Sequence, residues 1–372
     1  MEGKVKTVEE KHDIKTTVVT GGDNPQGEGT FMGKIDFVVT WVDGSDPAWL
    51  AEKRRYETGA AAPPRAGGES NADCRYRDYG ILRYWFRAVE RFAPWVDRVF
   101  FVTCGQKPCW LDESNPKIRL VNHVDFIPAE YLPTFHSDTI ELNLHRLRDL
   151  SERFVLFNDD TFLLQPVGPE FFFRKGLPVI PCDIGMPRWI GYSNSSRVVL
   201  NNGGALKLGL DVERLMWRSV RKIASVRALG LVRAVKNVVS FAVNRTWIPG
   251  TFGHLPLSHL KSTFEEVWRE LPEIMDRTSR SRFRVDNGVS HWLMSAWDVV
   301  NGRFCPANEK RRGKFTIIDE EHLAQVCEEV CRQVYPQICL NDTERTKDAG
   351  RCFAEVAKAF DSILPDKSSF ER

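Results

Sequence analysis

The stretch Phe154–Leu164, FVLFNDDTFLL, constrains the fold more than any other part of the chain. An apolar run, Phe154-Val155-Leu156-Phe157, leads straight into Asn158-Asp159-Asp160, and a second apolar run follows at once. Adjacent carboxylates at the end of a buried strand repel each other and lose hydration, so they call for a cation between them. Open α/β sheets bind ligands at the carboxyl ends of their strands. A divalent cation, or a substrate carrying one, meets both conditions. An ordinary acidic turn is the other reading, since Asn-Asp is common in turns.

The rest of the chain supplies a matching rhythm. Ile35–Val42 is a β-branched and aromatic run that ends in the loop Asp43-Gly44-Ser45-Asp46-Pro47, where an α/β protein seats a nucleotide or sugar. Asp78 is placed to cap a helix reaching Phe92, with Leu82, Trp85, Phe86 and Val89 on one face. Strands are expected at Arg98–Thr103 and Ile118–Val121, followed by Gln106 and by His123 and Asp125. Ser137 or Asp138 then caps a helix expected to reach Leu150, carrying Glu141. This alternation predicts an α/β fold, a Rossmann-like or GT-A-like mostly parallel sheet flanked by helices, with a helical C-terminal portion. Polar residues at the ends of four strands (Asp43, Asp46, Gln106, His123, Asp125, Asp159 and Asp160) should then converge on one crevice.

Composition excludes several classes. Charged residues make up 27% and apolar residues 42% of 372, the mark of a globular chain. A net charge of +2 argues against nucleic acid as a partner. No apolar run approaches the ~20 residues of a membrane span, and the charged start MEGKVKTVEEKHDIK lacks a signal-peptide core. The expectation is a cytoplasmic protein. Residues 1–33 form a polar leader, and residues 57–73, rich in Ala, Gly and Pro, are a loop suited to a lid over a site. Cys327, Cys331, Cys339 and Cys352 fit no standard zinc spacing, and buried thiols in a helical pattern explain them better.

One segment departs from the rest. From Arg214 to Arg245 there are eight Arg or Lys residues, no acidic residue, and interleaved apolar positions such as Leu215, Trp217, Val232 and Val235. It can lie on an anionic membrane surface, grip an anionic polymer, or pack its apolar side on the core behind a solvated basic face. Beyond it, His254 and the cluster RSRFRVDN (280–287) suit a phosphate-bearing substrate, because guanidinium groups clamp phosphate oxygens in pairs.

With these residues laid out, the chain resembles the Stealth family of sugar-phosphate transferases. That family includes bacterial capsular and exopolysaccharide phosphotransferases and the catalytic subunit of the GlcNAc-1-phosphotransferase that tags lysosomal enzymes. The first conserved region is met by IDFVVTWVDGSDPAW. The second runs from RYRDYGILRYWFRAVERFAPWVDRVFFVTCGQKPCWL through LPTFHSDTIELNLHRLRDLSERFVLFNDDTFLL. The third is met by HLPLSHLKSTFEEVWRELPEIMDRTSRSRFR and the fourth by CLND at Cys339–Asp342. Two positions depart from the family pattern: Ile81 stands where an acidic residue is usual, and Arg148-Asp149-Leu150 replaces Pro-Gly-Leu.

The resemblance implies that Glu141, Asp160, His254 and Arg284 hold the active-site positions. It implies donor contacts at Asp43, Gly44, Asp46, Arg77 and Asp78, to which the neighbouring Arg83 and His123 are added as substrate-binding candidates, and a Mg²⁺ (or Mn²⁺) ion at Asp159 and Asp160. The implied reaction moves hexose 1-phosphate from a UDP-sugar donor to a hydroxyl of a saccharide or polysaccharide acceptor and releases UMP. A metal-dependent glycosyltransferase releasing UDP is the alternative. The expected division is a leader (1–33), a nucleotide-sugar core (34–200), a basic helical insertion (201–250) and a helical part completing the site (251–372). The insertion is expected to meet a lipid-linked acceptor peripherally at the inner membrane face.

Overall fold

The computed structural model describes residues 33–58, 72–182, 194–243, 253–285, 287–344 and 346–372. The leader expected over 1–33, save its last residue, and most of the 57–73 loop lie outside the described residues. Residues 32–372 form one compact unit.

Four apolar runs of the first half become parallel strands: β1 (Ile35–Thr40), β2 (Val99–Thr103), β3 (Ile118–Asn122) and β4 (Arg153–Asn158). The second apolar run after the two aspartates is β5 (Thr161–Leu163). Shorter strands follow as β6 (Phe173–Arg174), β7 (Leu177–Pro181), β8 (Leu257–Leu260), β9 (Cys305–Ala307), β10 (Lys314–Ile317) and β11 (Gln337–Asn341). The main sheet has the order β3-β2-β1-β4-β8, with only β8 antiparallel. The chain leaves β1 toward β2 and β3, then crosses back to add β4 on the other side. β1 and β4 therefore flank the point where strand order reverses, which is where such sheets open a crevice. Both sheet faces are covered. Phe37, Val39, Phe101, Val155 and Phe157 pack to one side, while Val38, Phe100, Val102, Phe154 and Leu156 pack to the other. That is why these strands read as unbroken apolar runs.

A second sheet, β10-β11-β5, binds the C-terminal part to the end of β4. β11 runs antiparallel to β5, and the Leu340 amide donates to the Asp160 carbonyl at 2.8 Å. CLND is thereby laid beside FNDD. The part after 251 carries strands as well as the expected helices. Runs of three to five residues that pair with distant strands leave no period for a sequence reading to detect.

Two helix expectations need correction. The helix before β2, α2 (Leu82–Phe92), begins later than Asp78 and has no side-chain cap, because Asp78 Oδ1 instead accepts from the Gly80 amide at 3.0 Å in a local turn. The helix carrying Glu141, α3 (Ser137–Leu142), stops well short of Leu150 and gives way to a short 3₁₀ turn. Asn143 Nδ2 donates to the Thr139 carbonyl at 2.8 Å, so a side chain competes for the group that would extend the helix. The basic segment bears out the core-packing reading only in part: Ile223 and Leu229 are buried in the core, whereas Val232 is 83% exposed and Trp217 61%.

Candidate active site

The crevice between the ends of β1 and β4 is a cleft of about 550 Å³. Of the sequence-derived candidates, Arg77, Asp78, His123, Glu141, Asp159, Asp160, His254 and Arg284 line it. These come from the second conserved stretch, the loop after β3, α3, the end of β4 and the segments on either side of β8. The fold, not proximity in sequence, assembles them.

One wall is acidic. Asp159 and Asp160 keep part of their surface open to the cleft but are otherwise enclosed by protein. Burial, then the charges of Asp160 and Asp78, push the Asp159 carboxyl well above the ordinary range. Burial raises Asp160 to about 6, against the opposing pull of a hydrogen bond from Cys339 Sγ at 3.4 Å and the Arg75 charge. Asp342 joins them from beyond β11, accepting from Tyr79 Oη at 2.6 Å and pairing with Arg77 at 3.3 Å. Arg75 donates to Asn341 Oδ1 at 3.1 Å. Among the described residues, Asp160 Oδ1 and Asp342 Oδ1 are buried with no hydrogen-bond partner. Buried carboxylate oxygens left unpaired in this way are what a bound cation would satisfy.

The opposite wall centres on α3. Arg284 Nη2 donates to Ser137 Oγ at 3.0 Å, on the first turn of the helix. Burial and the Asp138 charge raise Glu141 to about 8, against the opposing pull of Arg284. Asp138 is also pushed up by burial, but its hydrogen bond with His136 (3.0 Å), aided by the nearby Arg284 charge, holds it below the usual range. His291 stands 3.8 Å from Glu141 and 3.2 Å from the His259 ring, and burial keeps it neutral with a pKa lowered to about 4. His254 rests against Phe315 and Trp292, and burial followed by the Arg75 and Arg284 charges lowers its pKa. Arg75 thus acts on both walls, on Asp160 and on His254. His123, buried at the back of the cleft, has its pKa lowered to about 4 by burial alone.

Four candidates do not line the cleft. Asp46 caps α1 (Pro47–Glu57), accepting from the Ala48 and Trp49 amides at 2.7 and 3.0 Å. Asp43 Oδ1 accepts from the Ser45 amide and hydroxyl, and its backbone is clamped on both sides by Gln106. Gly44 donates to the Tyr76 carbonyl at 2.8 Å. Arg83 lies outside the lining, and its charge reaches Asp78. Together they hold the Asp78 side of the cleft in place. Asp125, expected to join the crevice, instead caps the turn after β3 by accepting from the Asn122 amide at 2.8 Å. A Cβ at Gly44 would lie 2.1 Å from the Tyr76 carbonyl oxygen. Gly44→Ala should therefore cost about 2 kcal/mol, read as a melting temperature lower by about 4 °C. An unchanged melt would show that the loop gives way freely.

Sequence reasoning missed His291 entirely and used Asp138 only as a helix cap. Arg75, His136 and Asp342 fell within matched stretches without being singled out. Of the four cysteines, Cys339 is buried beside Asp160, and among the described residues no trio of His, Cys, Asp or Glu converges on one position.

Comparison with known proteins adds the family. Residues 33–60 match the family model of Stealth protein conserved region 1, and residues 75–179 that of conserved region 2. The capsular polysaccharide phosphotransferase WcwK of Streptococcus pneumoniae is 36% identical across 92% of this chain and 100% of its own length. The chain belongs to the Stealth family. The receptor polysaccharide phosphotransferase WefC of Streptococcus oralis is likewise 36% identical, over 91% of this chain and 100% of its own. This Stealth protein is thus an enzyme, a transferase whose named relatives are polysaccharide phosphotransferases. Among solved structures it is similar to the galactosyltransferase LgtC in complex with donor and acceptor sugar analogs, at TM-score 0.41 and 11% identity, over 90% of this chain and 96% of that one. A likeness that loose has no bearing on the chemistry.

Proposed function

We propose that this Stealth enzyme transfers hexose 1-phosphate from a UDP-sugar to a hydroxyl of a saccharide or polysaccharide acceptor in capsule or exopolysaccharide synthesis. The observation that carries the reading is the gathering of Glu141, Asp160, His254 and Arg284 into one cleft, with the paired aspartates on one wall and Arg284 on the other. In the reaction the acceptor oxygen attacks the phosphorus that bears the sugar. The bond from that phosphorus to the bridging oxygen breaks, UMP leaves, and the hydroxyl proton passes to a base. Such a transfer asks mainly for positioning and for cancellation of charge on the non-bridging oxygens.

The residue types fit those tasks. Arg284, held by Ser137, faces the phosphates with a permanent charge. His254 donates a hydrogen bond or a proton to the leaving phosphate. Glu141 orients sugar or acceptor hydroxyls. Asp160 takes the acceptor proton or, with Asp159, holds Mg²⁺ or Mn²⁺. The unpaired Asp160 Oδ1 and the raised carboxyls beside it fit such an ion, since Mg²⁺ is commonly held by one or two carboxylates, with substrate phosphates supplying further ligands. When bound, the ion would neutralise pyrophosphate charge. Asp43, Gly44, Asp46, Arg77, Asp78, Arg83 and His123 shape the donor side. In this reading residues 34–200 seat the donor, 251–372 complete the site, and 201–250 meet a lipid-linked acceptor at the cytoplasmic face of the inner membrane.

The test is nucleotide release. With Mg²⁺, a panel of UDP-sugars and a polysaccharide acceptor, UMP should form only when donor and acceptor are both present. UDP in its place would replace the proposal with a conventional glycosyl transfer.

A further inference from the structure

The helix Leu231–Val243 turns the unexpected face to the core. Its buried residues are Ala234, Asn237, Ser240 and Phe241, and Asn237 Nδ2 donates to the carbonyls of Ile223 (3.0 Å) and Cys182 (3.2 Å). Its outward face carries Leu231, Val232, Val235, Val238, Val239 and Val243, between 42% and 83% exposed. Their spacing puts them in a single stripe along the helix. Trp217, from an earlier part of the same segment, is also 61% exposed and packs edge-on to Phe241 with ring centroids 5.1 Å apart. Scattered exposed valines need no explanation, but a continuous stripe marks a surface that meets something apolar.

Charge says what that is. Arg214, Arg218, Arg221, Arg227 and Lys236 are exposed along the same segment, and no Asp or Glu occurs from 214 to 243. Lys236 stands one helical turn from Val232 and so flanks the stripe. An anionic polymer in water would satisfy the cations but leave the valines wet. A second protein would cover the valines but would not call for so one-sided a charge. An anionic bilayer uses both, because cations sit among the headgroups while a flat-lying helix sinks its apolar face to the acyl boundary.

We infer that residues 212–243 form a membrane-docking surface, with the helix Leu231–Val243 lying in the interface of an anionic bilayer. This gives a structural form to the membrane contact proposed above, and its test does not depend on the chemistry of transfer. The full chain should float with vesicles of equimolar phosphatidylglycerol and phosphatidylcholine, bind phosphatidylcholine alone far more weakly, and be released by high salt. Val232→Ser/Val235→Ser/Val239→Ser should lower the vesicle partition coefficient by on the order of a hundredfold. Its melting temperature and its nucleotide release with a short soluble acceptor should not change. Arg221→Gln/Arg227→Gln should weaken binding to the anionic vesicles only.

A wild-type chain that does not float, or a serine variant that floats as well as wild type, overturns the inference. So does a lower melting temperature in the serine variant, which would mean that the stripe is covered by this chain's own residues. A concentration-dependent dimer dissolved by the same substitutions would assign the face to a second copy. Failure of vesicle binding with acceptor-dependent UMP release intact would remove the docking surface alone.

Discussion

Asp160→Asn should lower acceptor-dependent nucleotide release by about a thousandfold while raising thermal stability. The two effects share one cause. Burial lifts the Asp160 carboxyl to about 6, so the folded chain holds an anion that its surroundings oppose at neutral pH. Its folded value exceeds the unfolded one, so this penalty grows as pH rises from the ordinary carboxylate range to about 6 and is constant above it. Asparagine removes the charge and keeps the shape, so the penalty disappears. The proposed work of Asp160, taking a proton or holding a cation, needs the anion and disappears with it. The measurements are nucleotide release at saturating donor and a melt at pH 7. A variant that keeps a tenth of wild-type activity would remove Asp160 from the chemistry. Lost activity with an unchanged melt would mean that the ionised carboxylate is already well satisfied in the fold.

Glu141→Gln should cut transfer by about a hundredfold and change how stability depends on pH. Burial and the neighbouring Asp138 charge raise Glu141 to about 8 in the fold, against an ordinary value of 4.5. Between those values the unfolded chain releases a proton that the folded chain keeps, so wild-type stability falls as pH rises through that window and levels off above it. The glutamine variant lacks this contribution. Near pH 4.5 the two proteins should be similar, and at pH 8 the variant should be more stable by on the order of 4 kcal/mol. Denaturant unfolding at pH 5 and pH 8 measures this directly. An equal difference at both pH values would mean that Glu141 is ionised throughout, held so by Arg284. His291, neutral and 3.8 Å away, adds no counter-charge near pH 7, so Arg284 is the cation on which the Glu141 charge depends.

Both variants place function against stability in the same cleft. Carboxylates enclosed beside one another are poor choices for a fold and suitable ones for gathering cations and protons. Ordinary surface aspartates of this chain show the contrast, as Asp46 and Asp112 are held below the usual range by backbone amides at a helix cap and a turn.

What the sequence determined by itself was the sheet and its chemically charged edge. β1, β2 and β4 lie within a residue or two of their apolar runs, because strands buried on both faces write themselves as unbroken hydrophobic stretches, and the shorter edge strand β3 was found beside them. Asp159 and Asp160 could be placed at a strand end for the same reason, and the resemblance to Stealth proteins supplied Glu141, His254 and Arg284, all of which line the cleft. Spacing along the chain could not separate those that face the cleft from those that build it. Asp46 and Asp43 carry the same side chain as Asp160, and only the positions of the Ala48, Trp49 and Ser45 amides show that here they cap a helix and close a turn outside the cleft lining.

The tertiary structure alone decided the rest. Asp342 reaches the site because β11 pairs with β5 across a long separation in sequence, and His291 reaches Glu141 from a segment with no motif. The outward turn of the Leu231–Val243 helix was equally hidden. Its apolar period was legible, but a period fixes only that one face is apolar, and which way that face points depends on the partners the fold provides. Here Asn237 found carbonyl partners inside, Phe241 joined the core, and the valines were left outside.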